Sequence, residues 1–129
     1  MASFEFDMSE FETLLSRLAD PEPIARKMIE AATPGVKAAL VANAPVDTGD
    51  LKKSIRAGSI LKRNDGLFRA VRPTGVDKKG VRNMDKAAYH NYGTSKQKGS
   101  GFIEASASAA KPGALQIMQE VFDKEVGAD

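Results

Sequence analysis

The chain has 129 residues and no cysteine, which fits a single domain over residues 1–129 and excludes disulfides, thiolate metal sites and cysteine nucleophiles. No apolar run approaches the ~20 residues of a membrane span, and the acidic start MASFEFDMSEF lacks the plan of a secretory signal. We therefore expect a soluble protein made inside the cell. The net charge of +2 comprises −5 over residues 1–50, +10 over 51–101 and −3 over 102–129, so a basic block lies between acidic flanks.

The N-terminal segment has the pattern of a short amphipathic helix. Ser9 and Glu12 have the spacing of a capping box. The apolar residues that follow recur on one helical face, at Phe11, Leu14, Leu15 and Leu18. Asp20-Pro21 ends the pattern, because a residue before proline is disfavoured in the helical region. The spacing predicts a peripheral first helix over about residues 10–19, within a peripheral segment 1–20.

A second helical stretch begins near Pro23 and stops at Pro45. Thr33-Pro34-Gly35 interrupts it, and an interior proline costs ~3 kcal/mol. The pattern favours a restart, with Thr33 as N-cap and Pro34 in the first position. The same Pro-Gly pair recurs at 112–113, within a long helix predicted from Phe102 to about Val126. We expect a bend or restart at each pair.

Between these helices the period becomes that of strands. Alternation from Ile55 to Leu61, the turn signal Asn64-Asp65-Gly66 and a returning strand over 67–72 predict a β-hairpin. The segment AAYHNYG is interpreted as a short third strand, and segments 74–87 and 94–101 as mobile loops that order on assembly. The fold class is therefore α+β: a small antiparallel sheet packed against N-terminal and long C-terminal helices, with the core in residues 22–126.

The tripeptide Asp47-Thr48-Gly49 is the one that aspartic proteases use to present a catalytic carboxylate. A chain this short would have to dimerise to supply two such carboxylates. The protease tripeptide follows a strand, whereas Asp47 follows an Ala-rich helical stretch, and Asp50 adds another acid beside it. The favoured interpretation is a joint between helix and strand, in which Asp47 and Thr48 satisfy backbone N–H groups and Gly49 adopts positive φ. A dimeric aspartic protease is the remote alternative.

Other chemistry has little support in the sequence. His90 is the only histidine and has no acid cluster near it, so we expect no metal site and no catalytic triad. The basic loop TSKQKGSG lacks the residue order of a phosphate-binding loop. Tyr89 and Tyr92 beside the basic block could stack on bases, so a basic nucleic-acid-binding module is a second hypothesis. No cofactor is expected.

Two motifs resemble those of a known family, the small neck or tail-completion proteins of long-tailed double-stranded DNA bacteriophages, also labelled head–tail joining proteins or minor tail components. The first motif is Ala-Pro-x-x-Thr-Gly-x-Leu over residues 44–51, and the second is Tyr-x-x-aromatic-Gly-Thr over 89–94, followed by Phe102. The resemblance covers about residues 22–126. The family often has Glu where Asn91 stands and Pro where Gly101 stands, and it has a Pro-Ala pair where this chain has residues 104–106, EAS.

The resemblance implies a non-enzymatic virion protein, made in the host bacterial cytoplasm and placed in the neck or tail as a ring of identical subunits. The implied partners are other copies of itself, connector or head-completion proteins and tail-tube or tail-terminator proteins, with a passing contact to phage DNA and none to a membrane. The joint would consist of Pro45, Asp47, Thr48, Gly49 and Leu51. The loop and last-helix start would consist of Tyr89, Tyr92, Gly93, Thr94 and Phe102.

The charge distribution suggests how identical subunits could meet. Opposite charges on one chain can steer a contact between neighbours. We expect a basic patch to face an acidic helix of the next subunit, and this inference comes from charge alone. The patch comprises Lys52, Lys53, Arg56, Arg69, Arg72, Lys78, Lys79 and Arg82.

Overall fold

A computed structural model describes residues 4–44, 50–63, 66–94 and 97–127. The strands are β1 Phe4–Asp7, β2 Ile55–Ala57, β3 Leu61–Arg63, β4 Gly66–Pro73, β5 Gly93–Thr94 and β6 Gln97–Lys98. The helices are α1 Glu12–Leu15, α2 Glu22–Asn43, α3 Asp50–Ser54, α4 Asn83–Tyr92 and α5 Phe102–Val126, and a 3-10 turn spans Ser9–Phe11. The predicted α+β class, with a small antiparallel sheet packed against helices, is confirmed.

Strand β4 is the centre of the main sheet. β1 pairs with one edge of it, and β2 and β3 pair with the other edge, all antiparallel. Leu67 and Val71 of β4 are buried, while Arg72 is exposed, as expected for a strand with one face toward the core. The predicted hairpin is thus confirmed, with β2 and β3 forming its first arm and β4 its second, and residues 64–65 of its turn lie outside the described residues.

The first arm of the hairpin contains a β-bulge that the sequence pattern did not predict. Ala57 lies opposite Val71 and Leu61 lies opposite Phe68, so three residues on one arm face two on β4. Arg69 holds the bulge from the core side. Its Nε donates to the Gly58 carbonyl at 2.7 Å, and its Nη1 donates to the hydroxyl of Thr33 on α2 at 3.1 Å.

Helices α2 and α5 pack against each other and run antiparallel, as the ion pair between Lys27 near the start of α2 and Glu125 near the end of α5 shows (3.1 Å). Helix α2 also contacts β2 and β4, and α5 contacts β1. Helix α2 therefore covers the main sheet, while α5 packs mainly on α2. Buried side chains along the two helices include Met28, Ile29, Ala32, Val36, Leu40, Phe102, Ile103, Ser106, Met118 and Phe122.

The predicted restart at Thr33 is wrong, because α2 is one continuous helix that contains Pro34. Thr33 is a helix-interior residue whose hydroxyl donates to the Ile29 carbonyl at 2.7 Å. The cost of the proline is ~3 kcal/mol, whereas burying side chains such as Val36 and Leu40 contributes ~1.5–3 kcal/mol each. Burial after the proline thus favours continuing the helix. Helix α5 likewise continues through Pro112.

The N-terminal segment is not a peripheral helix. Over its described residues, 4–20, the helical part is only the 3-10 turn and α1, and β1 precedes them as an edge strand on β4. Four of its side chains belong to the core: Phe6, Met8, Phe11 and Leu15. The short helix and the strand are both explained by this burial, since β1 satisfies the backbone groups of one β4 edge while Phe6 packs inward.

The segment AAYHNYG is not a strand. It forms most of α4, whose inward residues Ala87 and Asn91 are buried while Tyr89 and Tyr92 are exposed. Only two residues, β5, follow as a strand and pair with β6. The predicted loop over 74–87 ends earlier than expected, since α4 begins at Asn83. Burial of Ala87 and Asn91, four residues apart on one helix face, overrides the strand preference of the tyrosines.

Candidate assembly site

The predicted joint ends in a short helix, α3, which precedes strand β2, so the chain does not pass directly from the joint into the strand. Leu51 on α3 is only 2% exposed, and the Ser54 hydroxyl donates to the Leu51 carbonyl at 2.7 Å. The Ser54 carbonyl accepts bonds from the N–H and hydroxyl of Thr74, at 2.9 and 2.8 Å. These bonds fasten α3 to the end of β4. Pro45, Asp47, Thr48 and Gly49 lie outside the described residues, so their roles stay predictions.

Beyond Thr74 the chain forms a compact turn, residues 76–82, which we call the basic turn. Val76 and Arg82 form an isolated antiparallel bridge, and the Asp77 N–H donates to the Val81 carbonyl at 2.8 Å. The Asp77 carboxylate accepts the N–H groups of Lys79 (2.8 Å) and Val81 (2.9 Å). The turn closes through its own hydrogen bonds, with Gly80 at φ 83°.

Asp77 also ties the basic turn to α4. Its second carboxylate oxygen lies 3.0 Å from the ammonium of Lys86, with both side chains largely covered. The bond from the Val81 N–H, and then the Lys86 partner, lower the pKa of Asp77 below its ordinary 3.8. The aspartate is therefore ionised at neutral pH and compensates one lysine, while Lys78 and Lys79 stay exposed.

Most of the predicted basic patch is collected around this turn. Six exposed residues form what we call the basic surface: Lys53, Arg56, Arg72, Lys78, Lys79 and Arg82. Two adjacent hollows share Thr74 and Val76; Lys53, Arg56 and Lys78 line one, and Arg72 and Arg82 line the other. Arg56 and Arg72 are direct cross-strand partners. Like charges opposite each other are destabilising, which suits a surface that receives an acidic partner.

Two predicted members of the patch are placed elsewhere. Arg69 points toward α2 and holds the β-bulge, and Lys52 is half-buried on α3. Two apolar side chains stand among the basic ones instead, Val76 at 60% and Val81 at 40% exposure. The surface is therefore basic and apolar together. The irregular sequence of 74–82 hid these valines, although their spacing around Asp77 and Gly80 is typical of a tight turn.

The residues predicted to form the loop and the start of the last helix lie in two kinds of environment. Gly93 ends α4 with φ 90°, and Phe102 is buried at the start of α5. Tyr89 and Tyr92 are 56% and 58% exposed, on one helix face. Thr94 is the second residue of β5.

Two residues that sequence reasoning did not assign hold this region together. The Asn91 Oδ1 accepts the Ile103 N–H at 2.8 Å, and its Nδ2 donates to the Glu104 carboxylate at 3.1 Å. Gly99 lies so close to the end of α4 that a Cβ there would be 2.5 Å from the Asn91 carbonyl oxygen. The signal for Gly99 was the glycine-rich run 99–101 before the first core aromatic of α5, whereas Asn91 carried no comparable signal.

The family model described as "Bacteriophage HK97-gp10, putative tail-component" matches residues 9–93, more than half of the chain. The chain belongs to the HK97-gp10-like family. The protein is therefore a component of a phage tail, as the resemblance implied. The HK97-gp10-like match begins earlier than the predicted boundary at residue 22, and it ends before α5.

The HK97-gp10-like match includes the basic turn, α3 and α4. No curated protein and no solved structure matches the chain significantly. Over residues 4–44, 50–63, 66–94 and 97–127, no cluster of three or more His, Asp or Glu side chains could hold a metal ion. In the same ranges no helix has both the length and the apolar character needed to cross a membrane.

Proposed function

We propose that this tail component acts at the head–tail junction, as a neck or tail-completion protein that joins the tail to the head. Family membership supports the virion role. The single observation that carries the site assignment is the basic turn, which holds two exposed valines among exposed lysines and arginines. Exposed apolar side chains grouped with charge mark a protein–protein interface.

In this role the protein is structural and not an enzyme. The Asp77 carboxylate pairs with Lys86 of α4, the Ser54 carbonyl accepts from Thr74, and the Asn91 side chain accepts from Ile103 of α5, so each of these groups is used in holding the fold. We infer that the basic surface contacts neighbours within the virion. Its partners would be other copies of the chain in a ring, connector or head-completion proteins on one side, and tail-tube or tail-terminator proteins on the other.

Deletion of the gene from the phage or prophage that encodes the protein tests this role. Loss of a joining protein should leave DNA-filled heads and separate tails in induced lysates, counted by electron microscopy. Expression of the wild-type protein in trans should restore joined particles. A variant with Lys78→Glu and Lys79→Glu should fail to restore them although it folds.

A matched variant provides the control for charge. Lys124→Glu changes an exposed lysine at the end of α5, far along the chain from the basic turn, and should restore joined particles. Joined, infectious particles from the deletion strain would contradict the junction role. Absence of both heads and tails would also contradict it, since that result indicates a function earlier in assembly.

A DNA contact is the second candidate, and the exposure of Tyr89 and Tyr92 favours it. They continue the helix face that begins with Arg82, so aromatic and basic groups share one surface. Binding to single-stranded oligonucleotides should then weaken steeply with salt. Tyr89→Ala with Tyr92→Ala should weaken it further at fixed salt. An affinity that the double substitution leaves unchanged would contradict a stacking contact.

A further inference from the structure

A groove of about 390 Å³ lies between the N-terminal segment, the start of α2 and the residues of β3 and β4 at Lys62, Gly66 and Leu67. Its floor is apolar and includes Met8, Leu15, Ala25 and Leu67. Its rim carries three acids, Glu12, Asp20 and Glu22. We call this feature the acidic groove.

The rim of the groove carries an excess of negative charge. Glu22 pairs with Arg26 at 3.1 Å, whereas Glu12 and Asp20 form no ion pair within the described part of the chain. Lys62 is the single basic residue among those that line the groove. The groove therefore favours an occupant that brings apolar side chains together with positive charge. The basic turn has both properties.

The groove and the basic turn of one molecule lie at opposite ends of β4. Leu67, near the start of the strand, lines the groove, and Thr74 follows its last residue, Pro73, at the turn. A strand rises ~3.4 Å per residue, so the two sites are separated by roughly 24 Å along the strand. The turn cannot reach the groove of its own chain. Complementary surfaces at opposite ends of a molecule form head-to-tail contacts between copies, which close into rings when the rotation allows.

We propose that the basic turn of one copy docks in the acidic groove of the next. Val76 and Val81 would cover the apolar floor, and Lys78 and Lys79 would lie against Glu12 and Asp20. This inference rests on the proposed ring and names the contact that builds it. The occupant of the groove is thus a second copy of this chain.

The turn is suited to docking because its shape is already fixed. The Asp77 carboxylate holds two of its N–H groups and the Lys86 ammonium, so little conformational entropy remains to be lost on binding. The charged rim steers the encounter and fixes its orientation. The valines remove apolar surface from water on both sides of the contact.

Cysteine pairing tests the contact directly, because the chain has no cysteine of its own. Ser16 lines the groove, and Val81 is an exposed residue of the basic turn. A Ser16→Cys, Val81→Cys double variant should form intermolecular disulfides on oxidation, since a disulfide needs Cβ atoms ~3.5–4.5 Å apart. The products should be a ladder on non-reducing gels. Ala105→Cys with Val81→Cys is the control, since Ala105 is exposed on α5 and should give no ladder.

Charge reversal provides an independent test by sedimentation. Variant K carries Lys78→Glu and Lys79→Glu, and variant G carries Glu12→Lys and Asp20→Lys. Each alone should associate about tenfold more weakly than wild type, or worse, because like charges then face each other. A mixture of K and G should recover association. The acidic turn of K fits the basic groove of G, and the basic turn of G fits the acidic groove of K.

The outcomes separate this contact from the ring itself. Recovery in the K–G mixture, together with the disulfide ladder of the Ser16→Cys, Val81→Cys variant, supports the contact. If wild type, K and G all form rings and no ladder appears, the proposed contact is overturned. The ring itself would stand in that case, and another protein would occupy the groove. A wild-type protein that stays monomeric up to millimolar concentration would overturn both.

Discussion

Asn91 on α4 caps the first turn of α5, because its side-chain oxygen accepts the Ile103 N–H at 2.8 Å. The residue before α5, Gly101, has a left-handed backbone and provides no capping side chain. Asn91, ten positions earlier in the chain than Gly101, therefore acts as the N-cap and ties α4 to the start of α5.

Asn91→Ala should destabilise the fold. It removes the cap and leaves a buried N–H without a partner, at a cost of about 0.5–2 kcal/mol. Urea unfolding measures the loss. Asn43→Ala is the matched control, because Asn43 is exposed and, among the residues the structure describes, its side chain bonds only to the Ala39 carbonyl of α2, so its change should stay within about 0.5 kcal/mol. Equal effects for the two substitutions would contradict the capping role.

Gly99→Ala should be destabilising by about 1–3 kcal/mol, since the added methyl meets backbone atoms that cannot rotate away. The nearest are the Asn91 oxygen and the Tyr92 carbonyl carbon, both at 2.5 Å. Gly113→Ala should have the opposite sign. Nothing lies within 4 Å of a Cβ there, and replacing glycine inside a helix stabilises by about 0.5–1 kcal/mol. Thermal unfolding of the pair should give shifts in opposite directions.

Asp77→Asn should loosen the basic turn and lower stability at neutral pH. Because the folded pKa of Asp77 lies below its ordinary 3.8, the contribution of the carboxylate is complete above that value and is lost as the pH falls below it. The difference in unfolding free energy between wild type and variant should therefore shrink as the pH falls from neutral through the ordinary pKa of an aspartate. A difference that grows on acidification would refute this role.

The control for Asp77 is Asp85→Asn. Asp85 pairs with Arg82 at 3.3 Å at an exposed site, and exposed pairs contribute about 0–1 kcal/mol. At neutral pH this substitution should cost less than Asp77→Asn. It should also leave assembly unchanged if the proposed contact depends on the shape of the turn.

Pro34→Ala should stabilise the free protein, by up to ~3 kcal/mol, because it restores the N–H that the Glu30 carbonyl lacks within α2. Pro23→Ala is the control. Pro23 lies in the first helical turn, where an N–H has no partner in any case, and its replacement should change little. Lower stability of Pro34→Ala would show that the α2 packing requires the proline.

The parts of the fold that the sequence predicts are those with a long apolar period. The α2 stripe, the α5 stripe and the alternation from Ile55 to Leu61 all recur over several residues, and the turn signal after them predicted β4 as the returning strand. β1 was missed although Phe4-Glu5-Phe6-Asp7 alternates apolar and acidic residues, because the segment is short and its pairing depends on the distant β4. The helix α4 was missed because its tyrosines favour strands, although Met84, Ala87, Ala88 and Asn91 already had helical spacing.

The positive charge of the basic surface could be predicted from the sequence, but not which side chains point outward to form it. Charge counting located the block, but only the fold separates Arg69, turned inward to the β-bulge, from Arg72, turned outward. The acidic groove was not predicted, because its walls come from the N-terminal segment, α2 and the hairpin, which are far apart in the chain. Such long-range pairing has no local signal.

The location of the protein in the finished particle tests the proposed function most directly. Antibodies raised against the purified protein and labelled with gold should bind intact virions, or particles opened at the neck, at the junction between head and tail. Label at that junction, and none in particles of the deletion strain, is the predicted result. Label along the tail tube or at the distal tip would contradict a role in joining head to tail.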